Sequence, residues 1–562
     1  MRIVVVGGVA GGMSAAARAR RLDESAEIIV LERGEHVSFA NCGLPYYVSG
    51  EIVDQGALLV QTPASLKASL NLDVRIRHEV TGLDAARKTV AVTTADGVED
   101  LDYDALILAP GAQAARPPIE GLASPRLRTL RTVDDALALR DRVEAGARRA
   151  VVLGAGFIGL EAAEALAHQG LETTIVEFAP HVLPPLEDEA AFLVTEELRR
   201  LGIDVRTGVA ATAIASGAEC DVVTLADGSH VETDLVVLSV GVRPDTAVFE
   251  AAGVVCERGA MVVDPHGRTS LPDVYAVGDA TVSVDAVTGI RRPVALAGPA
   301  NRAGRLVADA ILRPESARPI PQPVGTAIVR VGALTAAMTG ANRQSLDAAG
   351  IAFHTLHLHP GQHAGYFPGA QQIHLMVHIR AADGPILGAQ AVGADGVDKR
   401  IDVLATGIRA GWSVDELIDL DLAYAPPYGS AKDPVNMAGM VGENVLNGTL
   451  SLWYAQDVVD VAGHALILDV RTPEEFASGH LPGVPNIPHT QLRERLDEVR
   501  MLAAGRPVRV MCQSGVRSAI AHRILTQAGV DSASMSGGML TLRAVLGDRA
   551  AQVLVTGEAA RV

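Results

Sequence analysis

Gly154-Ala155-Gly156-Phe157-Ile158-Gly159 follows an apolar run at residues 150–153 and opens an alanine-rich stretch over about 160–169. A second apolar run at 173–176 then ends in Glu177. Strand, glycine-rich turn, helix, strand and acid in that order make a dinucleotide-binding unit. The glycines permit the tight turn and a close backbone approach, the helix N-terminus meets the pyrophosphate, and the acid accepts from a ribose hydroxyl. The chain opens on the same grammar. Residues 3–6 are apolar, Gly7-Gly8-Val9-Ala10-Gly11-Gly12 forms the turn, about 13–22 the helix, and 28–31 the second strand before Glu32. Val9 stands where the middle glycine is expected, which makes this turn the less specific of the two.

The chain around these units is 562 residues long, so several domains are expected rather than one fold. A hydrophobic share of 48% against 20% charged residues excludes a disordered or low-complexity polymer. A formal charge of -18, with aromatics at 3%, argues against nucleic acid and anionic membrane as partners, so any anionic ligand needs a local basic patch. Cys42, Cys220, Cys256 and Cys512 are far apart and form no CxxC, so neither a zinc ribbon nor a disulfide framework is expected and the reducing cytoplasm is the default location. Cys220 precedes an expected strand, Cys256 follows one, and neither is assigned a role. The apolar N-terminus with Arg2 at its head has the look of a leader, but its glycines read as the first strand-turn-helix; no apolar run long enough for a membrane span is expected.

Two further segments complete the first unit: residues 103–111, a buried strand running into Gly111, and 273–279, a strand with Gly278-Asp279 at its carboxyl end. With these four motifs in order, residues 1–448 resemble the flavoprotein disulfide reductases that carry two dinucleotide-binding domains. The resemblance implies FAD on the first unit, at Gly7, Gly8, Gly11, Gly12, Glu32, Arg33, Gly111 and Asp279, and NAD(P)H on the second, at Gly154, Gly156, Phe157, Gly159, Glu177 and Gly241. Glu177 is followed by Phe178 rather than by an arginine to pair a 2′-phosphate, which favours NADH while leaving NADPH possible. The implied domains are a discontinuous FAD domain (1–112 and 245–320), an NAD(P)H domain (113–244) and a dimerisation domain (321–448) that makes a homodimer with active sites shared across the interface.

After residue 448 the pattern restarts. A strand at 465–468 ends in Asp469-Val470-Arg471, Thr472-Pro473-Glu474-Glu475-Phe476 follows, and a second strand at 508–511 runs into Cys512. Residues 457–562, beyond a linker at 449–456, resemble a rhodanese, a sulfurtransferase domain. The expected fold class is therefore α/β: two Rossmann-like dinucleotide-binding domains, an α+β dimerisation domain and a C-terminal rhodanese-like α/β domain.

The chemistry centres on two cysteines. Cys42 lies in Ser38-Phe39-Ala40-Asn41-Cys42-Gly43-Leu44-Pro45-Tyr46-Tyr47, a short distance after Glu32, where the chain travels along the flavin. No second cysteine stands near it in sequence, so its redox bond forms with something external, as a sulfenic acid or a mixed disulfide with substrate. This stretch resembles the coenzyme A disulfide reductase branch of the single-cysteine flavoproteins. The resemblance makes Cys42 the nucleophile, puts Ser38 and Asn41 beside the substrate, and makes Ser14, Arg18 and Arg21 the holders of the ADP part of coenzyme A. A further basic residue of those enzymes falls on Leu70, with Lys67 as a substitute. It also implies that the hydroxyls of Tyr366 and Tyr424 reach the active-site sulfur of the other subunit, with Asn301 and Lys432 near the substrate. Related NADH peroxidases and oxidases carry a histidine where this chain has Ala10, which disfavours peroxide chemistry.

Cys512 opens Cys512-Gln513-Ser514-Gly515-Val516-Arg517 between a strand and a helix over 519–527, so successive N–H groups and the helix N-terminus favour its thiolate, which can carry a sulfane sulfur. Four residues separate Cys512 from Arg517, as in rhodaneses, against five in phosphatase loops. His354, His357, His359 and His363 suggest a metal, but no nearby acid or cysteine completes a set and the alternation fits an interface sheet; no metal is expected. The expected enzyme reduces sulfur–sulfur bonds of coenzyme A persulfide, coenzyme A disulfide or polysulfide with NADH. The alternatives are an NADH peroxidase or oxidase of the same group, and a non-catalytic flavin redox sensor.

Overall fold

Apolar β-branched residues at 3–6 make Arg2–Val6 the central strand of a five-stranded parallel sheet because both its faces are covered. The sheet's order is Val274–Ala276, Ala105–Leu108, Arg2–Val6, Glu27–Glu32, Asp73–Ile76. Its last strand to arrive follows a second sheet in the chain. That second sheet, also parallel, has the order Asp204–Arg206, Glu172–Val176, Arg149–Leu153, Leu235–Leu238, Leu127–Arg128. Each sheet is accompanied by a three-stranded antiparallel layer, Glu79–Asp84 with Thr89–Thr94 and Gly97–Asp102 beside the first, Ala211–Ser216 with Asp221–Leu225 and His230–Thr233 beside the second. Helices Ala10–Leu22 and Phe157–His168 follow the two glycine turns, each starting earlier than its expected first residue because the turn itself carries the first helical hydrogen bonds. Cys256 does not follow a strand but sits in one, Cys256–Glu257, paired with Ala260–Met261.

This computed structural model describes residues 1–557. Residues 558–562, the end of the expected rhodanese-like stretch, lie outside the described residues. The chain divides into two units, one of residues 1–180 and 199–325 and one of 181–198 and 326–562. Residues 181–198 thus leave the stretch expected to bind NAD(P)H and belong with the second unit. The physical reason is a set of polar anchors described below, spaced more than 150 residues away in sequence.

The second unit holds an antiparallel sheet of order Ala327–Val331, Leu334–Gly340, Ile386–Gly393, Ile373–Arg380, Phe353–Leu358, backed by helices Val397–Ala410 and Pro434–Leu446. It also holds a parallel sheet of order Leu452–Trp453, Ser532–Met535, Val508–Met511, Leu466–Asp469. The expected linker at 449–456 therefore contains an edge strand. Trp453 is buried there and its Nε1 donates to the Val510 carbonyl at 3.1 Å, which holds the segment against the sheet.

Candidate functional site

Gly7 adopts φ 99°, and a Cβ there would sit 2.0 Å from the Ala109 carbonyl oxygen; a Cβ on Gly12 would sit 2.0 Å from the Gly7 carbonyl oxygen. The second turn repeats this, with Gly154 at φ 97° and Gly159 closing on the Gly154 carbonyl. These glycines are demanded by the packing of strand, turn and helix. Gly156 instead borders open space, as do Gly111 and Gly241, both at positive φ. No side chain caps the helix starts at Val9 or Gly156, so the first-turn N–H groups are left for a ligand.

Two acids frame the turns. Glu32 accepts from the Gly8 and Gly34 N–H groups, each at 2.8 Å, and Glu177 from those of Ala155 and Ala179 at 2.6 and 2.7 Å. Phe157 starts the second helix and Phe178 is exposed. Arg33 pairs with Asp245 at 2.5 Å. Asp279, in the turn Gly278–Ala280, takes no side-chain hydrogen bond among the described residues, and burial pushes its carboxyl up while Arg131 opposes that shift. An uncapped helix start, a carboxylate at the ribose end and an unpartnered acid further along fit a group with a pyrophosphate, a ribose and a polyol chain.

Cys42 lies in the short turn Asn41–Gly43, anchored by Ala40 N–H to the Leu58 carbonyl at 2.8 Å and Gly43 N–H to the Ala40 carbonyl at 2.9 Å. Its residue is exposed, yet the protein beside it and the Glu161 carboxylate both push the thiol up. Asn41 Nδ2 donates to the Arg131 carbonyl at 2.9 Å, and Ser38 holds φ 49° as the chain turns.

A cavity of about 350 Å³ opens beside this segment, lined by Met13, Arg21, Ser38, Gln61, Leu66 and Leu70 among others. Arg21 is the helix arginine that faces it. Arg18 is tied to Asp309 at 2.7 Å, and Arg20 is buried with its guanidinium on the carbonyls of Leu70, Asn71, Asp23 and Glu24. Lys67 turns to Asn71 Oδ1 at 2.6 Å, so the lining at Leu70 is apolar. Ser14 and Asn301, 287 residues apart, meet at 2.6 Å.

In the second unit, the hydroxyls of Tyr366 and Tyr424 lie 3.2 Å apart on exposed loops, and that hydrogen bond pushes the Tyr366 hydroxyl up. Lys432 is exposed beside the buried Asp433–Arg400 pair. Cys512 is fully buried. The Gly515 N–H donates to its Sγ at 3.2 Å, Ser518 Oγ stands 3.4 Å away, and the helix Val516–Gln527 starts directly behind, longer than expected at its N-terminus. Gln513 Oε1 faces Arg471 at 3.5 Å, Ser514 completes the loop, and Arg517 is held by Glu475. Glu475 was not singled out from sequence, although Thr472 and Glu475 have capping-box spacing, which the structure confirms.

His357 meets an acid from far along the chain: Glu189, 168 residues earlier, lies 2.7 Å from its Nε2. Among the described residues no group of three or more His, Cys, Asp or Glu is arranged to hold a metal.

Two parallel-sheet glycine turns, a lone exposed cysteine and a dimerisation-type sheet define the class, and the chain belongs to the pyridine nucleotide-disulphide oxidoreductases. That family's model matches residues 1–304 and its dimerisation-domain model residues 326–434; a rhodanese-like domain model matches residues 454–543. The chain is thus an oxidoreductase with a rhodanese domain, and membership implies FAD and a pyridine nucleotide. It is similar to the coenzyme A disulfide reductase of Staphylococcus haemolyticus, 33% identical over 442 residues, covering 78% of this chain and 98% of that protein. It is also similar to the crystal structure of reduced Bacillus anthracis CoADR-RHD, at 38% identity and TM-score 0.95 over 99% of each chain. A NAD-dependent persulfide reductase from A. fulgidus matches at 37% identity and TM-score 0.89, over 96% of this chain and 100% of that one. No helix among the described residues is long and apolar enough to cross a membrane.

Proposed function

We propose that the protein reduces sulfur–sulfur bonds of coenzyme A persulfide, coenzyme A disulfide or polysulfide with NADH, through Cys42 alone. The observation that carries this reading is the solitary Cys42 thiol, exposed in its turn; all four cysteines are free. The first glycine turn, Glu32 and Asp279 would hold FAD, which would supply a two-electron relay from NADH to the cysteine.

The Cys42 thiolate attacks one sulfur of the substrate. The sulfur–sulfur bond breaks, one half leaves as thiolate or hydrosulfide, and the other half stays joined to Cys42. Two electrons and a proton then release the second half as a thiol, so NADH, a proton and R–S–S–R′ give NAD⁺, R–SH and R′–SH. Burial and the Glu161 carboxylate push the Cys42 thiol up, so the protein beside it disfavours the thiolate that the attack requires. The Tyr366 and Tyr424 hydroxyls, within reach of each other, serve the leaving sulfur in a second copy of the chain. Arg21 and Ser38 hold the ADP end of coenzyme A in the cavity, with its adenine against Met13, Leu66 and Leu70. Ser14, Asn301 and Asn41 complete the substrate contacts, Lys432 serves the substrate of a second copy of the chain, and Arg18 acts through its pair with Asp309.

Cys512 loads the substrate. Its thiolate takes the outer sulfur of thiosulfate, forming a persulfide and releasing sulfite, and a coenzyme A thiolate then removes that sulfur as coenzyme A persulfide. The test is Cys42→Ser: it should bind FAD and accept hydride from NADH, while persulfide reduction disappears. Persulfide turnover at the wild-type rate would refute the assignment.

A further inference from the structure

Behind the Cys512 loop lies a seam of histidines that this reading does not use. The end of the strand Ser532–Met535 runs through Ser536 and Gly537 into the helix Gly538–Leu546. That helix start carries the loop: the Met539 N–H donates to the Cys512 carbonyl at 2.8 Å and the Leu540 N–H to the Gln513 carbonyl at 3.0 Å. A Cβ on Gly538 would sit 2.4 Å from the Cys512 carbonyl oxygen, and one on Gly515, whose N–H reaches Sγ, would sit 3.3 Å from the Gly537 nitrogen.

On its other side Gly537 meets the sheet strand Phe353–Leu358 and its extension. A Cβ on Gly537 would sit 2.7 Å from His357 Cβ and 3.0 Å from His359 Nε2. Both glycines take positive φ, 70° and 60°, so no spacer thicker than bare backbone separates the histidines from the loop. His359 Nε2 lies 2.9 Å from Thr541 Oγ1 on the loop-bearing helix, and its Nδ1 lies 2.9 Å from His374 Nδ1. His357 is fixed from both ends, Nδ1 by Ser536 Oγ at 2.8 Å and Nε2 by Glu189. Glu189 is in turn gripped by Arg343. Burial pushes its carboxyl up, but the hydrogen bonds to His357 and Arg343 outweigh this and hold it far below the ordinary range. Both ring nitrogens of His357 and both of His359 have a partner within hydrogen-bond distance, which makes the seam rigid.

We infer that His357 and His359 are positioning residues for the sulfur-carrying cysteine: they seat the Gly537-Gly538 backbone, and through it the Cys512 loop. This rests on the reading of Cys512 as a sulfane-sulfur carrier. The seat acts on geometry alone, since neither imidazole touches the sulfur, and misplacing a nucleophile by a fraction of an ångström slows its reaction without weakening donor binding.

The test uses the full-length holoenzyme, thiosulfate as donor and cyanide as acceptor. His359→Phe keeps a ring and removes both hydrogen bonds, His359→Gln restores one near Nε2, and Thr541→Val removes the partner hydroxyl. His359→Phe and Thr541→Val should lower kcat for sulfur transfer about tenfold with KM for thiosulfate within about twofold of wild type, and His359→Gln should recover most of the loss. In the Cys42→Ser background, the alkylation rate of Cys512, followed by peptide mass spectrometry with iodoacetamide, should change in the same order. Lower melting temperature with unchanged kcat and unchanged alkylation in all three variants would overturn the inference and leave a merely structural seam. If the wild type transfers no sulfur from thiosulfate, the carrier reading fails; the alkylation rates then decide the seat by themselves, a change supporting it and constancy overturning it.

Discussion

Arg517 and Glu475 share two hydrogen bonds, of 2.6 and 2.7 Å, across the mouth of the Cys512 loop. Arg517 interacts electrostatically with Cys512, yet its charge is already matched by Glu475. The Arg517 guanidinium holds the Glu475 carboxyl down at about 2, so the pair stays ionised at neutral pH. A carboxyl held down in the folded state adds stability above its unfolded value, and loses it as pH falls from about 4.5 towards 2. Glu475→Gln removes the competing charge. KM for thiosulfate should fall about fivefold, corresponding to about 1 kcal/mol for a partly exposed pair. An unchanged KM, measured with kcat at constant ionic strength, would show that Arg517 does not meet the donor.

On the proposed function, nucleotide choice follows from Glu177. Its carboxylate is fixed by two backbone N–H groups beside an exposed Phe178, leaving a negative edge where a 2′-phosphate would lie. Steady-state kcat/KM with NADH should exceed that with NADPH at least about tenfold, the scale of one like-charge clash. A ratio at or below one contradicts this.

On the proposed function, the cavity separates long substrates from short ones. Arg21→Ala should raise KM for coenzyme A substrates about tenfold and leave inorganic polysulfide nearly unaffected, because the lost contact lies at the far end of the carrier. Arg21 is preferable to Arg18 for this test, since removing Arg18 also strips Asp309 of its partner. Equal losses for both substrate types would remove the coenzyme A assignment.

Cys512→Ser tests coupling of the two sulfur sites. It should keep NADH-dependent reduction of preformed coenzyme A persulfide and lose NADH oxidation that depends on thiosulfate plus coenzyme A. Full donor-dependent activity in this variant would mean that the rhodanese domain serves another acceptor.

Local sequence carried much of this. The two glycine turns could be read because Gly7, Gly12, Gly154 and Gly159 are each required within one strand-turn-helix, and the Cys512 loop because its length from cysteine to arginine is its geometry. What local sequence hides is pairing at a distance. Arg18 looks like a free phosphate ligand until Asp309, 291 residues on, is placed against it. Residues 181–198 join the second unit because Glu187 and Glu189 find Arg343, His357 and His378 there, and no periodicity within the segment announces those partners. The strand Leu452–Trp453 was hidden by its two-residue length, too short for any alternation to register.

The central claim is that Cys42 directs electrons from NADH to sulfur. The direct measurement is anaerobic NADH oxidation, in parallel with coenzyme A persulfide, coenzyme A disulfide, inorganic polysulfide and hydrogen peroxide, and with oxygen in an aerated arm, for wild type and Cys42→Ser. The account predicts that kcat/KM for at least one sulfur acceptor exceeds those for peroxide and oxygen by about a hundredfold or more, and that this activity vanishes in Cys42→Ser. Peroxide or oxygen turnover equal to the best sulfur acceptor, or sulfur reduction that survives the loss of the thiol, would contradict it.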